Sequence, residues 1–212
     1  NKWMLGTRNS FFIGICATFL ATALGTVAAL GLSRPNMPFK GTLMAILISP
    51  MIVPLIITSA GMFFFYSKIG LTHTYLGLIL AHTALGTPFV VITVTATLTG
   101  FDTNLIRASQ SLGADTMRTF FKVIMPLILP GVISGGLFAF ITSFDEVVVV
   151  MFVGSVEQIT IPKQMWAGLR QETSPVILCM ATCLVALSIA LLTTVEMLRR
   201  RSERLRGIKL HK

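Results

Sequence analysis

Five long apolar runs, separated by short polar stretches, limit what this chain can fold into. The first, Phe11–Leu32, holds 22 residues without a charge. About 20 apolar residues in a helix cross the roughly 30 Å hydrocarbon layer of a bilayer. No water is available there, so each backbone amide must be satisfied within its own segment and the run must be helical. Similar runs follow at about 42–66, 75–98, 127–153 and 176–198. They take up most of the 212 residues. We read residues 1–212 as a single all-α domain, a polytopic membrane helix bundle. Only 12% of the residues are charged, against about 25% in a soluble domain. This excludes a water-soluble enzyme, a disordered chain and a coiled coil.

The net charge of +9 follows from the same architecture and does not call for a nucleic-acid partner. Lysine and arginine gather at the cytoplasmic ends of membrane spans. With the tail 199–212 inside, the inner segments hold 12 of the 17 basic residues and the outer segments Lys2, Arg8, Lys68, Lys163 and Arg170. The C-terminus is therefore expected in the cytoplasm, and Asn1 outside. A start on the outer side, without an initiator Met or a signal-peptide pattern, leads us to expect one further span before Asn1, six in all. The tail's seven basic residues suit anionic lipid headgroups.

Prolines punctuate the spans. Pro50 and Pro54 should kink or break the second, and Pro88 lies within the third. Gly14, Gly25 and Gly31 give the first span small faces for close helix contact. Phe63–Tyr66, at the outer end of the second span, reads as a membrane-interface belt. Residues 154–174 read as a polar outer loop in which Trp166 and Arg170 could meet a partner. Cys16, Cys179 and Cys183 lie in apolar segments and form neither a disulfide framework nor a zinc pattern. His73, His82 and His211 do not cluster with a nucleophile or with metal ligands, so no catalytic or metal site is assigned. His82 reads as a polar link between two helices.

Residues 100–125 form the longest polar stretch. We read two short amphipathic helices, about 103–112 and 115–124, joined at Gly113, with Asp102 and Asp115 as N-terminal caps. The first presents Leu105, Ala108 and Leu112 to a partner in the helix-in-groove manner. Met117, Phe120, Phe121 and Ile124 of the second pack back on the bundle, and Pro126 ends it.

The run Arg107-Ala108-Ser109-Gln110-Ser111-Leu112-Gly113-Ala114, then Val123-Ile124-Met125-Pro126 nine residues after Gly113, resembles the EAA loop of ABC-importer permease subunits. That pattern is Glu-Ala-Ala, three residues, Gly, nine residues, Ile-x-Leu-Pro. Arg107 stands where the family has Glu, and Ser109 where it has the second Ala. Gly100-Phe101-Asp102, the stretch from Ala81-His82-Thr83 to Pro88-Phe89-Val90-Val91, and Ser143-Phe144-Asp145-Glu146-Val147-Val148 resemble the spermidine/putrescine-type branch, and within it the second of two permease subunits. The resemblance implies a type I ABC-importer transmembrane domain in a bacterial inner membrane, with a span missing before Asn1. It implies that Arg107, Ala108, Ser109, Leu112, Gly113, Ala114 and Pro126 belong to an ATPase-docking loop. The implied partners are a homologous second permease subunit, two ATP-binding subunits and a periplasmic binding protein. The chain has no G-x-x-x-x-G-K-[ST] loop, so ATP and magnesium are expected on partner chains.

Asp145 and Glu146 are adjacent carboxylates in the fourth run. An ionised group at mid-bilayer costs at least about 2.5–3.5 kcal/mol, so such residues face a cavity or a partner. They are read as lining the path of a small organic cation such as a polyamine, or as a structural pair. On a helix they point about 100° apart, so one can do each job. The alternative cargoes of the same machine are an amino-acid derivative, an opine, thiamine or a phosphonate.

Overall fold

The computed structural model describes residues 2–34, 36–100, 102, 104–171 and 175–205, without the side chains of residues 170, 171, 195 and 198–205. Phe101 of the resemblance, Thr103 at the expected helix start, the Arg170 side chain and the tail beyond Leu205 fall outside what is described.

Among the described residues the elements are all helical. They are α1 (Lys2–Leu32), α2 (Lys40–Ile52), α3 (Leu55–Lys68), α4 (Tyr75–Thr99), α5 (Asn104–Ser111), α6 (Thr116–Thr119), a π turn (Phe120–Ile124), α7 (Met125–Phe144), α8 (Val148–Val153), α9 (Ile161–Gln171) and α10 (Pro175–Leu205). Four of these stretches are long and apolar enough to cross a membrane, and the number is five if the bent pair α2–α3 crosses as one span. The helices α1, α4 and α7 pack on one another. Their shared core contains Ala21, Ala29, Val90, Val94, Ile128, Val132 and Ala139.

Small residues allow this approach. A Cβ added at Gly135 would come within 2.7 Å of the Val90 Cα, and one at Gly25 within 2.6 Å of the Val90 Cβ. In lipid, helix association rests on such close contact. Gly14 meets the Phe140 ring, whereas Gly31 has nothing within 4 Å. Gly135→Val should therefore force α4 and α7 apart at a cost of about 1–3 kcal/mol. A lowered melting temperature of the detergent-solubilised protein, with Gly31→Val unchanged, checks this.

The prolines behave differently according to their neighbours. At Pro54 the second span breaks, and α2 and α3 meet at 103°. Val53, just before the proline, is extended at φ −70°, ψ 135°, the conformation that the proline ring imposes on its predecessor. Pro50 stays inside α2. Its ring leaves the Ile46 carbonyl without an amide donor, and the Ser49 hydroxyl donates to that carbonyl at 2.7 Å. Pro88 likewise remains within an unbroken, buried stretch of α4. Pro126 does not end the second loop helix as expected. The π turn sets the Met125 N–H on the Phe120 carbonyl, and this wider turn before the proline lets residues 116–144 run as one span.

Other expectations also change. The first span begins at Lys2 rather than Phe11. The fourth run is not one helix to Val153 but stops at Phe144 and resumes at Val148. The outer polar loop contains α9. Tyr66 does not join an interface belt: it is buried with Leu78, Leu85 and Val149, while Phe64 and Phe65 are exposed. Cross-links hold the segment before α9 to the bundle. The Asn9 amide donates to the Glu157 and Ile159 carbonyls at 2.7 and 2.9 Å. The Tyr75 hydroxyl donates to Asn9 Oδ1 at 3.1 Å, and the Ile161 N–H to Ser10 Oγ at 2.9 Å.

Candidate functional site: a capped loop and a broken span

Local chemistry shapes the loop. Asp102 Oδ1 accepts from the Asn104 N–H at 2.9 Å and opens α5. Asp115 Oδ1 accepts from the Arg118 N–H at 2.7 Å and opens α6. Both carboxylates satisfy amides that a helix start leaves free and lie at the positive end of its dipole. Between them α5 closes at Gly113, whose φ is 80°. The Ala114 N–H reaches the Ser109 carbonyl at 3.1 Å, and the Gly113 N–H the Gln110 carbonyl at 2.9 Å. This pair of bonds is the Schellman closure, which needs a left-handed residue where Gly113 stands.

The turn aims two faces. Inward, the Ser109 hydroxyl bonds that of buried Thr119 at 3.0 Å. Ile106, Phe120 and Ile124 line a cavity of about 380 Å³ with Leu30, Arg34 and Leu98. Outward stand Leu105, Ala108 and Leu112, the last 87% exposed. Met117 and Phe121 join them instead of packing on the bundle as expected. Phe120 and Ile124 share one helix face and Met117 and Phe121 the next, and only one face can meet α1 and α4. Arg107 is exposed, Ala114 is half-buried and Pro126 is exposed. Thr119 is the contributor that spacing did not reveal; a lone threonine carries no signal for a hydroxyl pair.

The second site is the break after α7. His82 Nδ1 and Ser143 Oγ are 2.7 Å apart, and this link ties the end of α7 to α4. The chain then leaves the helix at Asp145. Asp145 is exposed, whereas Glu146 is only 7% exposed. Glu146 Oε1 accepts from the Val149 N–H at 2.9 Å, so the carboxylate caps the N-terminal end of α8. The two residues diverge because the backbone turns there, not because a continuous helix separates them.

At the other end of α8, Lys163 of α9 reaches back. Its ammonium donates to the carbonyls of Val150 at 3.1 Å, Gly154 at 3.4 Å and Ser155 at 3.2 Å. Burial draws the Lys163 pKa below the ordinary lysine value, while the three carbonyls and the negative end of α8 favour its charge. In the sequence Lys163 reads only as one of the basic residues expected on the outer side. Its partners lie 8 to 13 residues away on another element, beyond any helical spacing. Among the described residues, no three His, Cys, Asp or Glu side chains gather as metal ligands.

The chain is 30% identical over 194 residues to the spermidine/putrescine transport system permease protein PotC of Haemophilus influenzae, which covers 92% of this chain and 76% of that protein. It is 30% identical over 186 residues to the putrescine transport system permease protein PotI of Escherichia coli K12, covering 83% of this chain and 65% of that one. Its fold resembles that of the inward-facing MetNI methionine ABC transporter, with a TM-score of 0.67, 20% identity and coverage of 98% of this chain and 96% of that chain. A bacterial alginate ABC transporter gives a TM-score of 0.65 at 15% identity, covering 96% of this chain and 75% of that one. The family described as binding-protein-dependent transport system inner membrane component matches residues 21–204. With four or five apolar helices of spanning length and a family match over most of its length, the chain belongs to that family and is a multi-pass inner-membrane permease subunit of an ABC importer, not an enzyme.

Proposed function

We propose that this permease subunit passes a small organic cation of the polyamine type across the inner membrane, and that residues 100–125 dock it on an ATP-binding subunit. The observation that carries the docking assignment is the outward apolar face of the loop, Leu105, Ala108, Leu112, Met117 and Phe121, held on a capped and Schellman-closed frame. Arg107, Ser109, Gly113, Ala114 and Pro126 belong to the same frame. The exposed apolar side chains form the anchors of a helix-in-groove contact, and Gly113 lets the partner approach the backbone.

The polyamine cargo is supported by the names of the two relatives above and by the carboxylates at the break. Asp145, at the end of α7, faces the path, and Glu146 caps the half-span α8 that follows it. The working assembly comprises this chain, a homologous second permease subunit, two ATP-binding subunits carrying ATP and magnesium, and a periplasmic binding protein. The permeases rock between inward-open and outward-open states as the ATPases close and open, and the loop carries that motion. The C-terminus lies in the cytoplasm, with the basic tail at the lipid headgroups.

The test of cargo is chemical. A tag on this chain should recover the ATP-binding subunits and the binding protein. Mass spectrometry of the small molecule released from that binding protein should find a polyamine. A neutral or anionic molecule would sink the cargo reading while leaving the importer intact. Orientation is tested with single cysteines in a variant lacking Cys16, Cys179 and Cys183. Met117→Cys and Leu205→Cys should react with an impermeant maleimide only after the membrane is opened. Val156→Cys, at a site 78% exposed in the outer loop, should react from outside. The reverse pattern would invert the topology.

A further inference from the structure

We propose that Lys163 is a positioning residue for transport: from outer helix α9 it holds the outer end of α8, and through α8 it sets where Glu146 stands, beside Asp145 at the end of α7. The proposal rests on the import reading and not on the identity of the cargo.

The geometry is specific. The half-span α8 has six residues, about 9 Å at 1.5 Å per residue. A helix this short has few internal hydrogen bonds, so its placement rests on packing and on what holds its ends. Both ends are gripped by side chains of the favourable charge. The Glu146 carboxylate bonds the Val149 N–H at the N-terminal end. The Lys163 ammonium spans the Val150, Gly154 and Ser155 carbonyls at the C-terminal end. Val149, Val150 and Val153 are fully buried, so α8 cannot shift without moving its neighbours. It packs on α3 and α4.

Lys163 is carried by α9, and α9 is not free to drift. The Ile161 N–H bonds Ser10 Oγ of α1 at 2.9 Å. The preceding segment is held by Asn9 through the Glu157 and Ile159 carbonyls. Within it, Gln158 Oε1 accepts from the Ser155 N–H and hydroxyl at 3.0 and 2.6 Å. A displacement of α9 by a partner on the outer face therefore reaches α8 through the lysine. Methionine at 163 keeps the length and loses all three donors. Arginine keeps the charge and several donors.

The experiment uses the assembled transporter in nanodiscs, with its binding protein, and reads ATPase activity with and without that protein. Lys163→Met should lose binding-protein stimulation by about tenfold, the scale of one charge-assisted hydrogen bond, with basal ATPase activity retained. Lys163→Arg should restore most of the stimulation. Glu146→Ala should lose stimulation to a similar extent. The double variant should be no worse than the poorer single, because both changes release the same element. Stimulation of Lys163→Met at the wild-type level, no rescue by arginine, or additive losses in the double variant would each overturn the proposal. If Lys163→Met does not assemble, Lys163→Arg decides: stimulation near wild type supports the role, and its loss overturns it. Failure of the import reading shows separately, as a wild-type complex whose ATPase ignores the binding protein, and that result overturns both.

Discussion

Gly113→Glu is expected to separate ATP hydrolysis from transport. Two effects combine. A non-glycine residue held at the left-handed φ of 80° costs roughly 1–2 kcal/mol, which loosens the closure between the Ala114 and Gln110 ends of the turn. Among the described residues nothing lies within 4 Å of a Cβ at that position, so the glutamate projects outward, onto the proposed docking face. A charge driven into an apolar docking groove removes a central contact, and central contacts are worth about 2 kcal/mol or more, roughly thirtyfold in affinity. Co-purification of the ATPase should fall, or its activity should no longer respond to the binding protein. Gly113→Asn separates the two effects, since asparagine tolerates the left-handed backbone and adds no charge; it should keep most of the coupling. If Gly113→Glu copurifies with the ATPase and transports normally, the docking assignment is wrong.

The second large effect concerns charge at the break. Asp145→Asn removes the exposed carboxylate at nearly constant shape. Two unit charges 4 Å apart at an effective dielectric of about 20 attract by roughly 4 kcal/mol before desolvation. Desolvation of both groups offsets much of this. We expect a net loss of about 1.4 kcal/mol, or tenfold, in the uptake of a cationic cargo by proteoliposomes. Glu146→Gln behaves differently in this structure. Its amide oxygen still accepts from the Val149 N–H, so α8 stays capped and transport should fall less than in Asp145→Asn. Glu146→Ala removes the cap, worth about 1 kcal/mol, and should lower the thermal stability of the complex as well. Wild-type uptake by Asp145→Asn would show that this carboxylate does not act on the cargo, or that the cargo is not a cation. Uptake lost only where the complex dissociates would assign both residues to structure.

The two predictions draw on different kinds of information. The capped frame of residues 102–119 was largely legible in the amino-acid sequence because its determinants are local. Asp102 and Asp115 cap amides two and three residues later, and Gly113 closes a turn through partners three and five residues apart. Met117 and Phe121 were misassigned because spacing tells which residues share a face, not which face meets a neighbour.

The break in the fourth span was not legible. Its sequence is a continuous apolar run apart from Asp145 and Glu146, and a run of that composition reads as one helix. The halves are fixed by distant groups: Ser143 by His82, 61 residues away, and the outer end of α8 by Lys163. The prolines teach the same lesson, since Pro50 and Pro54 look alike in a sequence. Ser49 repairs the helix at Pro50, whereas Val53 before Pro54 is extended and the span turns by 103°.

The sequence by itself determined that this chain lies in a membrane, where its apolar runs fall and where its polar loop is capped. These follow from length, charge and hydrogen bonds across at most five residues. Only the tertiary structure decided where helices break, that Glu146 is buried as a cap while Asp145 is exposed, and that Lys163 of α9 bonds carbonyls at the C-terminal end of α8. Those outcomes depend on which neighbours supply the missing donors and acceptors, and packing between remote segments is what brings such neighbours together.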